Sequence, residues 1–337
     1  MMGLRLRLIT SVLLAMLAGG CVREEPAART AASPDSRPPL RKVVLQSDWF
    51  PQAEHGGYYH ALVHGYYAGA GLAVDIWAGG PGAGIKLKVA KGDADFGMNR
   101  SDDIILASSR GMPLIMVSAT LQHDPLALMV HESSPVRTFP DLQGRVVVGN
   151  VGLAYFSYLE MKYNLTFEKR QNTYGLGEFL ANPEIIQQCV VTSEPFFARQ
   201  HGKSVRTLLL ADSGYDSYHV VFCRRELVRS SPEVVRAFVA ATIRGWRDYI
   251  KGDPTAVHAE ILKRNPQMTP ELLEFSRGEL IKRGLVRGDP KQGEDVGMLS
   301  LPRLEREMRI LTDLKILEVP VTLAQIATTE FLPQGEP

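Results

Sequence analysis

Hydrophobic positions beyond about residue 40 alternate between two periods. Short apolar runs such as 43–45 predict buried strands. Apolar residues spaced three or four apart, such as Tyr59, Leu62 and Tyr66, predict a half-buried helix that begins near Gly57. Alternation of this kind is typical of α/β proteins, in which helices cover a mostly parallel sheet.

The same alternation continues through two blocks of the chain. Further strands are predicted at 72–77, 94–98 and 114–118, and the rhythm begins again after Asp141. Helices dominate the C-terminal part, where Ser-Pro-Glu at 231–233 has the chemistry of a helix start. The pattern therefore predicts an α/β fold of two lobes, a mixed, mostly parallel sheet in each, and a helical C-terminal region.

The N-terminus has the layout of a cleavable signal peptide over residues 1–20. Two arginines precede an apolar run at 8–18, and small residues lead into Cys21. This arrangement resembles a bacterial lipoprotein signal, in which the cysteine is acylated, although Leu17 lies one place further from the cysteine than is usual. An ordinary secreted protein is the alternative. Residues 21–40 are rich in Pro, Ala, Ser and charge, which predicts a disordered tether.

Composition narrows the partners. The 337-residue chain has a formal net charge of +1 and 22% charged residues without a dense basic run, which argues against nucleic acid as a partner. Besides Cys21 it has Cys189 and Cys223, which could pair or remain buried thiols. Their spacing fits no metal site, so no metal or cofactor is predicted.

Candidate binding residues lie where predicted strands end. Ligands of open α/β sheets gather at the carboxyl ends of strands. The segment 48–59 combines aromatic and hydrogen-bonding groups suited to holding a flat polar ring, although its aromatics could equally belong to the core. The candidates in this segment are Asp48, Trp49, His55, Tyr58 and Tyr59.

Further candidates follow three later strands. Asn99 and Ser101 lie at one strand-to-helix turn. At the next candidate turn, Asn150, Gly152 and Tyr155 surround a helix start whose free N–H groups could hold an anion. Glu194 follows a strand and could accept hydrogen bonds from an aminopyrimidine-like edge, or could simply favour the helix dipole.

No convincing set of nucleophile, base and orienting residue can be assembled from the sequence. It lacks a Gly-x-Ser-x-Gly elbow and a zinc motif. From the residues alone, we expect a two-lobed binding protein that is not an enzyme.

A series of short motifs carries a family resemblance. Together they resemble the family that contains bacterial thiamine-pyrimidine-precursor binding proteins, sulfonate-binding proteins and fungal thiamine-pyrimidine synthases. Their order is specific to this superfamily, whereas each motif alone is weak. The motifs are Asp-Trp-Phe-Pro-Gln at 48–52, His-Gly at 55–56 with Tyr58, Gly-Leu at 71–72, Gly-Asp-Ala-Asp-Phe-Gly at 92–97, Gly-Met-Pro at 111–113, Asp-Leu-Gln-Gly at 141–144 and Thr-Ser-Glu-Pro at 192–195.

The resemblance implies a type II periplasmic-binding-protein fold with a hinge of two crossing strands. We expect lobe 1 to contain residues 41–125 and 220–337, and lobe 2 to contain 126–219, with crossings near 126–130 and 218–223. It also implies an extracytoplasmic, lipid-anchored monomer that delivers a small-molecule ligand to an ABC permease.

The resemblance also implies residue roles. Trp49 and Tyr59 would stack on a pyrimidine ring, and Glu194 would bind its edge. Asp48 and His55 would order the first loop.

Asn150 and Gly152 would meet an anionic or formyl group.

The sequence departs from the family pattern in two places. Gln52 stands where Asn is expected. The cysteine cluster of the fungal synthases is absent, since residues 175–183 read Gly-Leu-Gly-Glu-Phe-Leu-Ala-Asn-Pro. Binding of a sulfonate or nitrate, retained synthase activity and a sensory lipoprotein remain the alternatives.

Overall fold

The computed structural model describes residues 39–333. Cys21, the predicted signal peptide and all but the last two residues of the predicted tether lie outside the described residues. Within the described range, every helix falls short of the length and apolar character that crossing a membrane requires.

Ten strands in the described residues form two five-stranded sheets. The strands are β1 Arg41–Gln46, β2 Leu72–Trp77, β3 Phe96–Arg100, β4 Leu114–Leu121, β5 Leu126–His131, β6 Val146–Gly149, β7 Glu168–Gln171, β8 Ile186–Val190, β9 Val205–Leu209 and β10 His219–Arg224. The sheet orders are β2-β1-β3-β10-β4 and β7-β6-β8-β5-β9. We call the first sheet with its helices lobe 1 and the second lobe 2.

Helices surround both sheets. They are α1 Gly56–Val63, α2 Tyr66–Gly69, α3 Ile85–Lys91, α4 Ser101–Ser109, α5 Tyr155–Tyr163, α6 Gly177–Ala181, α7 Glu194–Gln200, α8 Arg225–Ser230, α9 Pro232–Lys251, α10 Thr255–Arg264, α11 Pro270–Lys282, α12 Leu301–Asp313 and α13 Leu323–Ile326. Short 3-10 helices lie at Ala53–His55, Phe139–Leu142, Leu210–Ser213 and Pro290–Gln292. The predicted helical C-terminal region and the predicted start of α9 after Ser231 are confirmed.

The two sheets share one topology. In each sheet four strands run in the same direction, and one strand, inserted at the fourth position of the sheet order, runs antiparallel to both of its neighbours. That inserted strand is β10 in lobe 1 and β5 in lobe 2. The predicted mixed sheets with mostly one strand direction are therefore confirmed.

The chain crosses between the sheets twice, at residues 122–125 and 214–218. These segments lie just before β5 and β10, so each crossing begins four residues earlier than expected from the predicted ranges 126–130 and 218–223. The reason is that β5 and β10 each pair with two neighbours along most of their length, which makes them sheet strands rather than linkers.

Close packing of α1 against α9 fixes the loop that follows β1. A Cβ on Gly57 would collide with the Trp246 ring, and a Cβ on Gly245 would collide with the carbonyl of Gly57. The two backbones therefore approach closely because both contact positions are glycine. This packing holds the start of α1, and with it the loop at 47–55, at one edge of the sheet.

Candidate functional site

A cleft of about 340 Å³ lies between the lobes, at the carboxyl ends of the parallel strands. Its volume lies at the lower end of the range for small-molecule sites, roughly 300–1,000 Å³. The lining residues are Asp48, Trp49, Gln52, Glu54, His55, Asn99, Arg100, Asp103, Asp124, Pro125, Leu126, Asn150, Leu153, Asn172, Tyr174, Gln188, Cys189, Val190, Ser193, Glu194 and His219.

Charged side chains from three strand ends and a crossing segment form the wall of lobe 1. His55 Nε2 lies 2.8 Å from Asp48 Oδ1, and His219 Nδ1 lies 3.8 Å from Asp48 Oδ2. His219 Nε2 lies 3.5 Å from Asp124 Oδ1, and Asp124 Oδ2 lies 3.6 Å from Arg100 Nε. An alternating chain of negative and basic groups therefore runs along this wall.

This network shifts the pKa values of its members. Burial raises the pKa of Asp48, but the hydrogen bond from His55 and the charges of His55 and His219 outweigh it and lower that pKa overall. The pKa of Asp124 falls in the same way, despite burial, beside His219 and Arg100. Burial lowers the pKa of His219, but Asp124 and Asp48 raise it overall. The wall thus favours charged carboxylates beside a protonated His219.

Arg100 is shared among three carboxylates. Its Nε lies 3.1 Å from Asp102 and 3.6 Å from Asp124, and its Nη2 lies 3.8 Å from Asp103. Burial lowers the pKa of Arg100, but these carboxylates raise it overall well above its usual value. The guanidinium is therefore charged and already compensated by protein groups.

Neutral amides form much of the wall of lobe 2. Gln188 Oε1 accepts a 2.8 Å hydrogen bond from the Asn150 backbone N–H. Gln171 Oε1 lies 3.4 Å from the Val151 nitrogen, and Asn150 Oδ1 lies 3.3 Å from the Gly152 nitrogen. Side-chain oxygens therefore occupy three successive backbone donors of the turn after β6.

Glu194 is the acidic group of this wall. Its Oε2 accepts a 2.7 Å hydrogen bond from the Val190 backbone N–H at the end of β8. Burial raises the pKa of Glu194 to about 7, and nearby Glu54 contributes to the rise. Glu54 accepts a hydrogen bond from the Thr192 hydroxyl across the cleft. The Glu194 carboxyl can therefore be either neutral or ionised close to neutral pH.

An aromatic pair closes the cleft mouth. Trp49 follows β1 in lobe 1, and Tyr174 follows β7 in lobe 2. Their ring centroids are 5.7 Å apart and tilted by 40°. Tyr174 is 62% exposed and has a positive φ of 63°. Sequence patterning did not indicate Tyr174, because its irregular loop carries no period; only its position after a parallel strand could have suggested it.

Six of the predicted site residues line this cleft together. They come from both lobes, and each follows or ends a parallel strand, as expected for an open α/β sheet. They are Asp48, Trp49, His55, Asn99, Asn150 and Glu194.

Tyr58 and Tyr59 lie elsewhere, fully buried in lobe 1. Tyr58 packs edge-on against Trp246 and its hydroxyl lies 3.0 Å from that of Thr120. The Tyr59 ring lies beneath the Arg264 guanidinium, 5.4 Å away. The stacking role predicted for Tyr59 does not fit this position, because α1 turns these rings towards the core; Tyr174 occupies the place opposite Trp49.

Three other predicted residues support the cleft from behind. Ser101 is buried and donates a 2.7 Å hydrogen bond to Glu307, and the Tyr155 hydroxyl donates one of 2.9 Å to Gln188. Gly152 contributes the backbone donor used by Asn150. The anion-binding role predicted for the turn at 150–152 does not fit, since these donors are taken.

Cys189 and Cys223, the two cysteines within residues 39–333, are free and buried and lie in different sheets. Cys189 lines the cleft. Burial and the neighbouring Glu194 raise its pKa well above its usual value. Its thiol is therefore protonated and poorly suited to act as a nucleophile.

Two sheets of one topology, joined by two crossing segments around a ligand-sized cleft, define the type II periplasmic-binding-protein fold. The chain belongs to the NMT1/THI5-like family, whose model matches residues 52–256.

Three relatives cover most of the chain. It is 26% identical over 368 aligned positions to the riboflavin-binding protein RibY of Chloroflexus aurantiacus, covering 98% of this chain and 99% of that one. The 4-amino-5-hydroxymethyl-2-methylpyrimidine phosphate synthase of Legionella pneumophila is 22% identical (87% and 92% covered). The formylaminopyrimidine-binding protein of Halalkalibacterium halodurans is 23% identical (76% and 82% covered).

Solved structures share the fold. The putative sulfonate-binding protein SsuA of Methylobacillus flagellatus superposes with a TM-score of 0.63 at 14% identity, covering 87% of this chain and 93% of that one. The aliphatic sulphonate binding protein SsuA of Escherichia coli gives a TM-score of 0.63 at 12% identity, with 85% and 96% covered.

Proposed function

We propose that this protein is the extracytoplasmic substrate-binding component of an ABC importer for a small heteroaromatic molecule of the pyrimidine or flavin type. The observation that carries this proposal is the pair of Trp49 and Tyr174, which face each other from opposite lobes over a polar cleft. Aromatic faces bind a flat ring through its large apolar surface, and polar groups beneath them orient it.

The ring would enter between these two aromatics. Their centroids are 5.7 Å apart, so the faces must separate for a ligand to lie between them. Tyr174 can move because its loop is exposed, whereas Trp49 is half-buried. The ligand would therefore be held by Trp49 and covered by Tyr174.

Glu194 is the proposed recognition group for the ring edge. A neutral carboxyl offers one donor and one acceptor, which complements the adjacent acceptor and donor of an aminopyrimidine or of a flavin imide. Since the pKa of Glu194 is about 7, this neutral form is present at neutral pH. The acidic group thus matches the edge of the ring class that the aromatic pair selects.

Contacts between the lobes provide a closed form for the permease to recognise. Ser276 of α11 donates a 2.6 Å hydrogen bond to the Thr192 carbonyl, and the Thr192 hydroxyl donates a hydrogen bond to Glu54. Phe275 lies 5.4 Å from Phe196 across the same boundary. Ligand binding would stabilise this closed arrangement, as in hinge closure around a bound solute.

The relatives support the ligand class. Two of them are named for binding riboflavin and a formylaminopyrimidine, both nitrogen heteroaromatics. The third relative is named as a synthase, which favours the alternative that this protein is an enzyme. The protonated Cys189 thiol argues against nucleophilic catalysis in this cleft.

Thermal shift assays on the purified full-length chain in mild detergent test the function. Riboflavin, an aminopyrimidine or a formylaminopyrimidine should raise the melting temperature in a concentration-dependent manner. Trp49→Ala should reduce the shift at a given ligand concentration, while Trp77→Ala, which alters a half-exposed tryptophan outside the cleft, should preserve it. Stabilisation by alkyl sulfonates alone would contradict the proposal, and turnover of the bound ring, seen by mass spectrometry, would indicate an enzyme.

We further propose that Cys21 carries a lipid anchor. The signal-like segment before it supports this proposal. Mass spectrometry of the N-terminal peptide should show acyl chains on Cys21 in the wild type and none in Cys21→Ser. A wild-type N-terminal peptide without acyl chains would contradict the anchor.

A further inference from the structure

We infer that the cleft admits its heteroaromatic ligand only without a phosphate or sulfonate group. This inference rests on the proposed function and adds a rule of selectivity to it. Three features of the cleft support it. The Arg100 guanidinium is ion-paired with protein carboxylates, backbone N–H groups at two helix starts donate to protein acceptors, and carboxylates outnumber cationic groups.

The guanidinium of the cleft is committed to protein carboxylates. Among the described residues that line the cleft, Arg100 is the one Arg or Lys. It lies within 4 Å of Asp102, Asp103 and Asp124, and its side chain is 12% exposed. An incoming anion would have to displace one of these carboxylates, which are held in place by other contacts such as the Tyr215 hydroxyl on Asp102.

Backbone donors at two of the helix starts beside the cleft, those of α5 and α4, are also occupied. In lobe 2, the amides of residues 150–152 donate to the side-chain oxygens of Gln188, Gln171 and Asn150. In lobe 1, the Ser101 amide donates to the Tyr218 carbonyl and the Asp103 amide donates to Asp102. Anion sites at helix starts depend on free N–H groups, and here protein acceptors take them.

Carboxylates dominate the remaining charge. Asp48, Glu54, Asp103 and Asp124 line the cleft, and Glu194 adds a further negative charge when it is ionised. The lining histidines, His55 and His219, are both paired with carboxylates. A dianionic ester would face this negative field without an available counter-ion, and like charges brought together in a desolvated site are strongly unfavourable.

Matched ligand pairs test the inference with the full-length chain. Calorimetric titration compares riboflavin with riboflavin 5′-phosphate, and 4-amino-5-hydroxymethyl-2-methylpyrimidine with its phosphate. The parent compound should bind about 100-fold more tightly than the ester in the pair that the protein recognises. Equal or tighter binding of the ester would overturn the inference and leave the proposed function standing. Failure of every uncharged ring to bind would instead overturn the proposed function, and this inference with it.

A pair of variants tests the physical cause. Asp103 lines the cleft and lies 3.8 Å from Arg100 and 3.0 Å from Lys86. Asp103→Asn therefore removes one negative charge from the cleft and frees Lys86 from this ion pair, while Arg100 keeps Asp102 and Asp124. The preference for the parent compound should fall by about 10-fold. Glu318→Gln releases Arg110 from an exposed ion pair and should leave the preference unchanged. An unchanged preference in Asp103→Asn, or the same fall in Glu318→Gln, would overturn the electrostatic explanation.

Discussion

The two walls of the cleft come from sheets of the same topology, yet they carry different chemistry. Lobe 1 contributes paired charges, in which Asp48, Asp124, Arg100 and His219 compensate one another. Lobe 2 contributes mainly neutral amides and Glu194, whose pKa of about 7 leaves it poised between two states.

This difference separates two tasks. A network of paired charges is costly to disturb, since removing one partner leaves the others buried and uncompensated. It therefore fixes the shape of the lobe 1 wall. Amides and a titrating carboxyl offer donors and acceptors at lower cost, which suits direct recognition of a ligand edge. We therefore predict that substitutions in the charge network of lobe 1 chiefly lower stability, whereas substitutions at the aromatic pair and at Glu194 change ligand affinity or the pH dependence of stability.

Removing the shared guanidinium should have the largest effect. Arg100→Met leaves the buried Asp102 without a cation and removes one of the two cations beside Asp103 and Asp124, so the free energy of unfolding should fall by about 3–5 kcal/mol in urea titrations. Arg110→Met removes an arginine from an exposed pair with Glu318 and should cost less than about 1 kcal/mol. Similar losses in the two variants would show that the charge network of lobe 1 contributes no more to stability than an exposed ion pair.

Removing the aromatic face of lobe 1 should be the next largest effect. Trp49→Ala should weaken ligand binding by about 2 kcal/mol, or roughly 30-fold, because it removes a large contact surface at the centre of the site. Calorimetry measures this loss, with Trp77→Ala as the matched control. A double substitution with Tyr174→Ala should show that the two losses are not additive, since the rings contact each other. Strict additivity would argue against a paired clamp.

The pH dependence of stability should report Glu194. Because its pKa rises from 4.5 to about 7 on folding, folding favours the neutral carboxyl. In the wild type, Glu194 therefore costs no stability below about pH 4.5, and the free energy of unfolding falls as the pH rises towards 7. Glu194→Gln cannot ionise, so it should gain about 1–2 kcal/mol relative to the wild type across that window. Glu184→Gln, at an exposed position, should show no such gain. Parallel pH profiles for the wild type and Glu194→Gln would contradict this assignment.

The contact between the lobes should have the smallest effect. Thr192→Val removes the hydroxyl that donates to Glu54 and should weaken ligand binding by about 1 kcal/mol, since closure loses one hydrogen bond to a charged group. Thr166→Val, on the outer surface of lobe 2, is the control. An unchanged affinity in Thr192→Val would remove this contact from the closure mechanism.

The strand ends, and so the candidate site, were largely predictable from sequence. Runs such as 43–45 are apolar enough to fix β1, and the residue types after each strand indicated Asp48, Asn150 and Glu194. Helical spacing could not decide which side of α1 faces the cleft. It therefore could not test the stacking role that the family resemblance implies for Tyr59, which the packing of α9 buries.

Residues that act through long-range contacts were not predictable. Asp124 lies in the first crossing segment, and His219 is the first residue of β10, which follows the second crossing 95 positions later. Neither a helical nor a strand period in the sequence indicates these two residues. Tyr174 lies in an irregular loop and meets Trp49 only because the two sheets face each other. Such residues become visible only when the topology brings the loops together.

Calorimetric titration of the full-length chain with riboflavin, 4-amino-5-hydroxymethyl-2-methylpyrimidine, formylaminopyrimidine and ethanesulfonate at neutral pH tests the central claim most directly. We predict saturable one-to-one binding of at least one heteroaromatic ring, weakened roughly 30-fold in Trp49→Ala, and no heat from the sulfonate. Saturable binding of the sulfonate with no response to any ring would contradict it.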